Sequence, residues 1–338
     1  MRAAVYKGPR SVEVEEIPTP TAGPGQVLIE VSHCGICGSD LHFVVEGWSR
    51  PGSVHGHEYS GTVVEVGPSV SSIQVGDRVV GGPGRRCGTC KPCRSGQTNV
   101  CVEHNITGAS PETGAFAPYK ALAADAAFTI PASLDLRTAA LSEPVAVALR
   151  GVRRSGLQPG DRALVTGAGP IGTLTVAVLR ALGVEDITVS EPHARRRELA
   201  ASLGAATCVP ADLVAPVMRM EIVAAPFDAA IECSGRADAM EAALSQLAKG
   251  GVLVLSGTGM VRPHLEAIRI IVNELTVTGS AEYTNDDFQS AIDLLASGAL
   301  PTSLLIEQAD IPLNGIVDAM DRLVAGDLPG KVMVNPRA

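Results

Sequence analysis

The strongest constraint on the fold is a regular alternation of short apolar runs and Ala/Leu-rich stretches between residues 162 and 279. Stretches with helical character, such as 171–182 and 192–203, separate the apolar runs. Strands that alternate with helices in this way are typical of βαβ units, whose strands pair in parallel beneath helices. The sequence therefore predicts a doubly wound parallel sheet, with strands over 163–166, 187–190, 229–232, 251–255 and 275–278.

A glycine motif with the pattern G-x-G-x-x-G follows the first apolar run and precedes the first helical stretch. Between a strand and a helix, such glycines form a tight turn and let the backbone approach a pyrophosphate. The charge of that pyrophosphate then faces the N-terminus of the helix. We therefore expect a dinucleotide site that includes Gly167, Gly169, Pro170, Ile171 and Gly172.

The identity of the dinucleotide depends on Glu191, which follows the second apolar run. A carboxylate at this position accepts hydrogen bonds from the ribose hydroxyls and repels a 2′-phosphate, which favours NAD over NADP. Arg195, Arg196 and Arg197 come shortly afterwards, and a phosphate could recruit one of them, so we include Arg196 among the cofactor residues. In the competing interpretation, Glu191 caps the next helix and the arginines form its solvated face.

Four cysteines occur within a short stretch with the spacing Cys87-x-x-Cys90-x-x-Cys93-x₇-Cys101. Four thiolates suit a closed tetrahedral zinc site that has no open position for a substrate. Eight cysteines in a chain without a signal-peptide pattern are more typical of metal ligands than of disulfides. We therefore expect a structural zinc ion in a lobe that spans residues 85–105.

A second group of metal-binding residue types surrounds Cys37 and His57. We expect both to bind a zinc ion, with a carboxylate from Glu58 or Glu143 as the third ligand. Glu58 is adjacent to His57 in sequence, so its side chain can point elsewhere, whereas Glu143 lies at the expected domain junction. Both could bind at different stages of a reaction cycle. Three protein ligands leave one position open, which is typical of a catalytic zinc.

Polar residues close to Cys37 have expected roles beside this zinc. Ser39 and His42 can pass a proton from a zinc-bound alcohol to solvent, because a hydroxyl group both donates and accepts hydrogen bonds. Asp40 is a candidate partner for the second ring nitrogen of His57. The catalytic set expected from the sequence is Cys37, Ser39, His42, His57, Glu58 and Glu143.

Length and composition limit the remaining possibilities. A chain of 338 residues is long enough for two domains, and glycine-bracketed β-branched runs before residue 145 predict a β-rich first domain. We expect domains at 1–145 and 146–285, with 286–338 returning to the first domain. The net charge of −9 disfavours a nucleic-acid partner, and no apolar run is long enough to cross a membrane. The N-terminus has no signal-peptide pattern, so we expect a cytoplasmic location.

Together these motifs resemble the zinc-dependent medium-chain alcohol dehydrogenase superfamily. The resemblance covers nearly the whole chain and includes the segment Gly56-His57-Glu58, the four-cysteine lobe, the glycine motif and Gly330-Lys331-Val332. It is greatest for the sorbitol and 2,3-butanediol dehydrogenases. That branch is indicated by the segments Gly35-Ile36-Cys37-Gly38-Ser39-Asp40, Glu143-Pro144 and Ile231-Glu232-Cys233-Ser234-Gly235.

The resemblance implies a GroES-like catalytic domain and a Rossmann domain, with the active site in a cleft. It also implies nicotinamide contacts from the segments that contain Ser234, Gly257 and Ser280, and a homo-oligomer, either a tetramer or a dimer. The expected activity is the reversible, NAD-linked oxidation of a small secondary alcohol or polyol to a ketone by hydride transfer at zinc. The expected cofactors are two zinc ions per subunit and NAD.

Two other functions remain open at this point. Glu282 occupies a position where sorbitol dehydrogenases carry an arginine, so polyol specificity is in question. Glu282 and Glu46 could attract the ammonium group of an amino alcohol, and an aminocyclitol or sugar acid is a related possibility. A non-catalytic protein that binds zinc and a dinucleotide is the alternative from a different class, although such a protein would not need Ser39 and His42 as a proton relay.

Overall fold

The computed structural model describes residues 1–84, 86–103, 114–218 and 220–338. Arg85, His104 and Asn105, at the ends of the predicted zinc lobe, lie outside the described residues. In chain order, the strands are β1 (Arg2–Gly8), β2 (Ser11–Glu16), β3 (Gln26–Gly35), β4 (Glu58–Val66), β5 (Arg78–Gly81), β6 (Tyr119–Ala123), β7 (Ala127–Thr129), β8 (Arg162–Thr166), β9 (Asp186–Ser190), β10 (Ala206–Cys208), β11 (Phe227–Glu232), β12 (Leu247–Leu255), β13 (Thr276–Gly279) and β14 (Met333–Val334).

Helices of varied length connect these strands. In chain order, they are α1 (Gly38–Val44), α2 (Lys91–Arg94), α3 (Leu136–Ala139), α4 (Ser142–Ser155), α5 (Pro170–Ala181), α6 (Ala194–Ser202), α7 (Ala237–Ser245), α8 (Ala267–Val272), α9 (Asn285–Ala296), α10 (Thr302–Leu305) and α11 (Ile316–Ala325). No helix in the described part of the chain combines the length and the hydrophobicity needed to cross a bilayer.

The chain divides into two compact units. The first contains Met1–Ala146, Tyr283–Gly298 and Ile306–Ala338, and the second contains Val147–Glu282 and Ala299–Leu305. The predicted returning segment, 286–338, therefore contains a short stretch that groups with the second unit. The reason is that α10 contacts α5.

The first unit is built around an antiparallel sheet with the strand order β14-β3-β4-β5-β7, in which β6 also pairs with β3. A separate hairpin consists of β1 and β2. Alternate side chains of β3 and β4, such as Ile29 and Val63, enter a core that also includes Phe116 and Met320. This is the predicted β-rich, GroES-like domain.

The register of this sheet brings distant residues to one end of β3. Gly35, the last residue of β3, pairs with Glu58 of β4 on one side and with Met333 of β14 on the other. Cys37 follows two positions after Gly35, and His57 directly precedes β4. Strand pairing therefore gathers three separate parts of the sequence around the predicted catalytic zinc site.

The second unit contains a parallel sheet with the strand order β10-β9-β8-β11-β12-β13. In chain order, the strands run outward from β8 to β10 on one side of the sheet and from β11 to β13 on the other, which is the arrangement of the doubly wound Rossmann fold. The predicted parallel sheet is therefore confirmed. Helix α6 begins at Ala194, slightly later than the predicted start at 192, and the backbone N–H of His193 donates to the Glu191 carboxylate instead.

Candidate zinc centres and dinucleotide site

Asp40 holds the two residues expected to bind the catalytic zinc. Cys37 is the N-terminal capping residue of α1, and its backbone N–H donates to Asp40 Oδ2 over 2.9 Å. The other oxygen, Oδ1, lies 3.8 Å from His57 Nδ1, which is an ion-pair distance. Burial raises the pKa of Asp40, while His57 and the Cys37 amide oppose that shift. One buried carboxylate therefore contacts both of these residues, in line with its predicted role beside His57.

Cys37, His57 and Glu58 form a compact group of possible metal ligands. One donor atom from each lies within 4.8 Å of the others. Glu58 is fully buried, and its Oε2 has no hydrogen-bond partner among the described residues. A buried carboxylate oxygen without a partner is costly, and a cation at this position would satisfy it. A thiolate, an imidazole and a carboxylate are a suitable donor set for zinc.

The second oxygen of Glu58 is bound by Lys331, a residue to which the sequence analysis gave no role. Lys331 Nζ lies 2.7 Å from Glu58 Oε1 and 3.0 Å from the Ile36 carbonyl oxygen. Both charged side chains are buried. The charges of Glu58 and Cys37 raise the pKa of Lys331 against the opposing effect of burial. A single lysine directly before the apolar run 332–334 was the available sequence signal.

Gly35 is required beside this pair. A Cβ atom on Gly35 would lie 2.2 Å from Glu58 Oε2 and 3.2 Å from the Lys331 side chain. Only glycine allows the end of β3 to approach the carboxylate so closely.

Glu143, the other carboxylate considered as a third ligand, lies at the start of α4 and is not part of the compact group. Burial raises its pKa to about 7, and the Glu58 charge acts in the same direction. The charges of His57 and Lys331 oppose that rise, as does a hydrogen bond from the Tyr283 side chain. The structure therefore groups Glu58, and not Glu143, with Cys37 and His57.

Ser39 and His42 lie three residues apart on α1, which places them on one face of the helix. The ring of His42 stacks on Trp48, with the centroids 4.8 Å apart. His42 Nδ1 also lies 2.9 Å from Glu46 Oε1, as an ion-pair contact without hydrogen-bond alignment. His42 is partly exposed, so its ring can exchange protons with solvent.

The four cysteines of the predicted structural site converge. The Cys87 and Cys93 sulfur atoms are 3.9 Å apart, and those of Cys90 and Cys101 are 4.0 Å apart. Zn–S bonds of about 2.3 Å place tetrahedral thiolates about 3.8 Å apart, so the spacing fits zinc. Backbone N–H groups of Cys90 and Thr89 lower the pKa of Cys87 to about 6, which favours the thiolate. The donor set is all sulfur and has no open side for a substrate.

The glycine motif of the second unit forms the turn between β8 and α5. Gly167 has a φ of +88°, and a Cβ atom there would lie 2.8 Å from Ser234 Cβ. A Cβ atom on Gly172 would lie 1.9 Å from the Gly167 carbonyl oxygen. No atom lies within 4 Å of the corresponding position on Gly169, which caps the N-terminus of α5. The turn therefore leaves open space at a helix N-terminus, as a pyrophosphate requires. Pro170 and Ile171 form the first turn of α5.

Glu191 directly follows β9, and its side chain contacts this turn. Its carboxylate accepts hydrogen bonds from the Ala168 N–H at 2.7 Å and from the His193 N–H at 2.9 Å. Arg197 donates to the backbone carbonyls of Glu191 and Pro192. The carboxylate thus lies beside the glycine motif, as a ribose-binding residue should, and it also contacts the residue before α6, as the capping interpretation required. Arg196 lies on α6.

The remaining predicted cofactor residues follow the carboxyl ends of neighbouring strands. Ser234 follows β11, Gly257 follows β12 and Ser280 follows β13. Ligands of open parallel sheets bind at this edge. The Ser280 hydroxyl oxygen is buried without a hydrogen-bond partner among the described residues, so it is available to a cofactor.

Glu232 accepts hydrogen bonds from the turn that follows β11. The sequence analysis gave this residue no role. Its buried carboxylate accepts the backbone N–H of Ser234 at 2.6 Å and that of Gly235 at 3.0 Å. A Cβ atom on Gly257 would lie 2.2 Å from the Gly235 nitrogen, so the two turns pack closely. A charged residue at the end of a buried strand was the sequence signal.

Comparisons with known proteins agree with this description. Residues 23–132 match the family "Alcohol dehydrogenase GroES-like domain", and residues 170–297 match "Zinc-binding dehydrogenase". Sorbitol dehydrogenase from Bacillus subtilis is 34% identical over 95% of this chain and 93% of its own.

Two solved structures cover 99% of this chain and 99% of their own length. One is 2R,3R-butanediol dehydrogenase from Bacillus subtilis, with 30% identity and a TM-score of 0.88. The other is a zinc-binding dehydrogenase from Sinorhizobium meliloti bound to NADP, with 32% identity and a TM-score of 0.86. The chain therefore belongs to the zinc-dependent medium-chain alcohol dehydrogenases, in the branch of the sorbitol and butanediol dehydrogenases, and is a zinc- and nicotinamide-dependent oxidoreductase that acts on CH–OH groups.

Proposed function

We propose that this enzyme catalyses the reversible, NAD-linked oxidation of a polyol or another secondary alcohol to a ketone. The observation that carries the proposal is the compact group of Cys37, His57 and Glu58, in which one carboxylate oxygen has no hydrogen-bond partner within the described part of the chain. The names of the relatives favour polyols over amino alcohols, and they favour an enzyme over a non-catalytic binding protein.

The residues of the chain have distinct tasks in this proposal. Cys37, His57 and Glu58 hold the zinc ion, and Asp40 fixes the first two. When bound, zinc polarises the alcohol oxygen and nicotinamide accepts the hydride. Ser39 Oγ takes the hydroxyl proton of the alcohol and passes it to the His42 ring, from which it reaches solvent.

We further propose two zinc ions per subunit, one at the Cys37 group and one at the four cysteines. The test is to purify the protein without a chelator, measure its zinc content and assay NAD and NADP reduction with secondary alcohols, polyols and amino alcohols. Two zinc ions per chain and polyol-dependent NAD reduction are expected. One zinc ion per chain and no reduction with any alcohol would contradict the proposal.

A preference for NAD over NADP is supported by Glu191, whose carboxylate lies against the glycine motif. Its negative charge would repel a 2′-phosphate in the place where the ribose binds. Replacing Glu191 with alanine should reduce the ratio of kcat/KM for NAD to that for NADP by about tenfold, because both the ribose contact and the repulsion are lost. An unchanged ratio would show that Glu191 only supports the turn, and tighter NADP binding through Arg196 would then be tested with Arg196→Ala.

We also propose a homo-oligomer, with a tetramer as the expected form. Strand β13 is an edge of the parallel sheet, and the segment between β12 and β13 carries the exposed apolar residues Met260, Val261 and Ile271. A second copy pairing at this edge would cover them. Light scattering should give a multiple of the 34.8 kDa chain mass, and Ile271→Asp should reduce it. The thiolate ligand sets favour a cytoplasmic location, where disulfides rarely form.

A further inference from the structure

The turn that follows β11 is bound to the side chain of the last residue of that strand. This residue, Glu232, is fully buried. Its Oε1 atom accepts the backbone N–H groups of Ser234 at 2.6 Å and of Gly235 at 3.0 Å, and Oε2 lies 3.1 Å from the same Gly235 nitrogen. The Ser234 hydroxyl also donates to Oε1. These hydrogen bonds offset the cost of removing the carboxylate from water, and they tie the turn to it.

The main chain of Glu232 also binds the turn that follows β12. Its carbonyl oxygen accepts the N–H groups of Ser256 at 2.9 Å and of Gly257 at 2.8 Å. The two turns are in close contact. A Cβ atom on Gly257 would lie 2.9 Å from Glu232 Oε2, and one on Gly259 would lie 1.7 Å from the Gly235 carbonyl oxygen. A single residue therefore binds two turns at the ends of neighbouring strands.

These two turns lie beside the expected position of the pyrophosphate. A Cβ atom on Gly167, in the glycine motif, would lie 2.8 Å from Ser234 Cβ, so the first turn contacts the motif. In a doubly wound sheet, a dinucleotide binds across the point from which the strands run outward to both sides, here between β8 and β11. Glu191, on the β9 side, marks the place expected for the adenosine half. The nicotinamide half would then extend over the turns that follow β11 and β12.

We propose that Glu232 is a positioning residue for the nicotinamide half of the dinucleotide, because its carboxylate holds the backbone of Ser234 and Gly235 against the turn that follows β12. This inference rests on the proposed function only for the binding of a nicotinamide dinucleotide along this edge of the sheet. Glu232 is fully buried, so it acts through the backbone of the two turns. The adenosine half lies on other turns and does not depend on this carboxylate.

The test compares NADH with ADP-ribose, which lacks only the nicotinamide ring. Both are titrated by calorimetry into the full-length protein, purified without a chelator, in the absence of an alcohol. Glu232→Gln keeps the size of the side chain but places an amide N–H₂ group among backbone donors, so the turn should shift. The Kd for NADH should rise about tenfold, while the Kd for ADP-ribose should stay within about twofold of the wild-type value.

Asp228→Asn is the matched control. Asp228 lies near the other end of β11, and its carboxylate also accepts a backbone N–H, that of Arg162, at 2.8 Å. This variant should leave both dissociation constants within about twofold of the wild-type values. Glu232→Asp keeps the charge but withdraws the carboxylate by one methylene group, so it should lose less NADH affinity than Glu232→Gln. Melting curves show whether each variant folds, and Glu232→Asp must show the same selective loss if Glu232→Gln does not fold.

The inference is wrong if a folded variant loses affinity for NADH and ADP-ribose equally, because Glu232 would then support the whole dinucleotide site. It is also wrong if neither affinity changes. A wild-type protein that binds NADH but reduces NAD with no alcohol would refute the proposed function, while the comparison of the two ligands would still decide the role of Glu232.

Discussion

The two proposed zinc groups of the first unit differ in how their side chains are brought together. The four cysteines come from one continuous stretch, Cys87 to Cys101, and two pairs of their sulfur atoms lie 3.9 and 4.0 Å apart. Cys37, His57 and Glu58 come from the end of β3 and the beginning of β4, which must pair before the ligands meet. The side chains of the first group are close in sequence, whereas those of the second meet only when the sheet has formed.

Their chemistry differs in the same way. The cysteine group is closed and uniform, so a bound ion has no position left for a substrate. The Cys37 group is mixed, and one oxygen of Glu58 has no hydrogen-bond partner in the part of the chain that the structure describes, while the other is bound by the buried Lys331. This difference is the one expected if the Cys37 group performs chemistry and the cysteine group stabilises a lobe, because residues around a catalytic metal orient its ligands.

The largest effect is a loss of activity, and it is expected only when the Cys37 group is changed. His57→Ala should reduce kcat by roughly 10³-fold or more, because polarisation by a metal is worth several kcal/mol. NADH binding, measured by fluorescence, should be retained because the glycine motif belongs to the second unit. His33→Ala is the matched control, since that ring contacts Ser32 and Asp310 and has no assigned role in the reaction. Substantial activity in a zinc-free His57→Ala protein would remove the distinction between the groups.

The next effect tests the buried support of the Cys37 group. Lys331→Met should lower the free energy of unfolding by roughly 3–5 kcal/mol, because it leaves the Glu58 carboxylate buried without its partner. Urea unfolding measures this loss. The double variant with Glu58→Gln should recover part of it, since no uncompensated charge remains. A loss below about 1 kcal/mol, typical of exposed ion pairs, would mean that the pair is not sequestered from water.

The smallest effect on chemistry is expected at the cysteine group. Cys93→Ser should remove one zinc ion per chain and lower the Tm by about 5 °C, because order in the lobe depends on the metal. At low temperature, kcat should stay within about threefold of the wild-type value. Zinc analysis, calorimetry and steady-state assays provide the three readouts. A loss of kcat comparable with that of His57→Ala would show that the lobe takes part in the reaction.

The main features of the fold were predictable because they depend on patterns of residues that are close together in sequence. The parallel sheet follows from apolar runs at βαβ spacing, and the tight turn at Gly167 follows from the glycine motif. The cysteine group was equally predictable, since its side chains are close in sequence. Both carboxylates beside the Cys37 group were identified, but their different environments were not. The environment of Glu58 depends on Lys331, which lies far from it in sequence.

The sequence by itself therefore determined the reaction type and the cofactor class and supplied the candidate site residues, because residue chemistry and short spacings carry that information. Tertiary structure alone decided that Glu58 joins Cys37 and His57 and that Lys331 is buried against it. Pairing of β3 with β4 and with β14 creates these contacts. A one-residue shift in that pairing would turn the Glu58 side chain to the opposite face of the sheet.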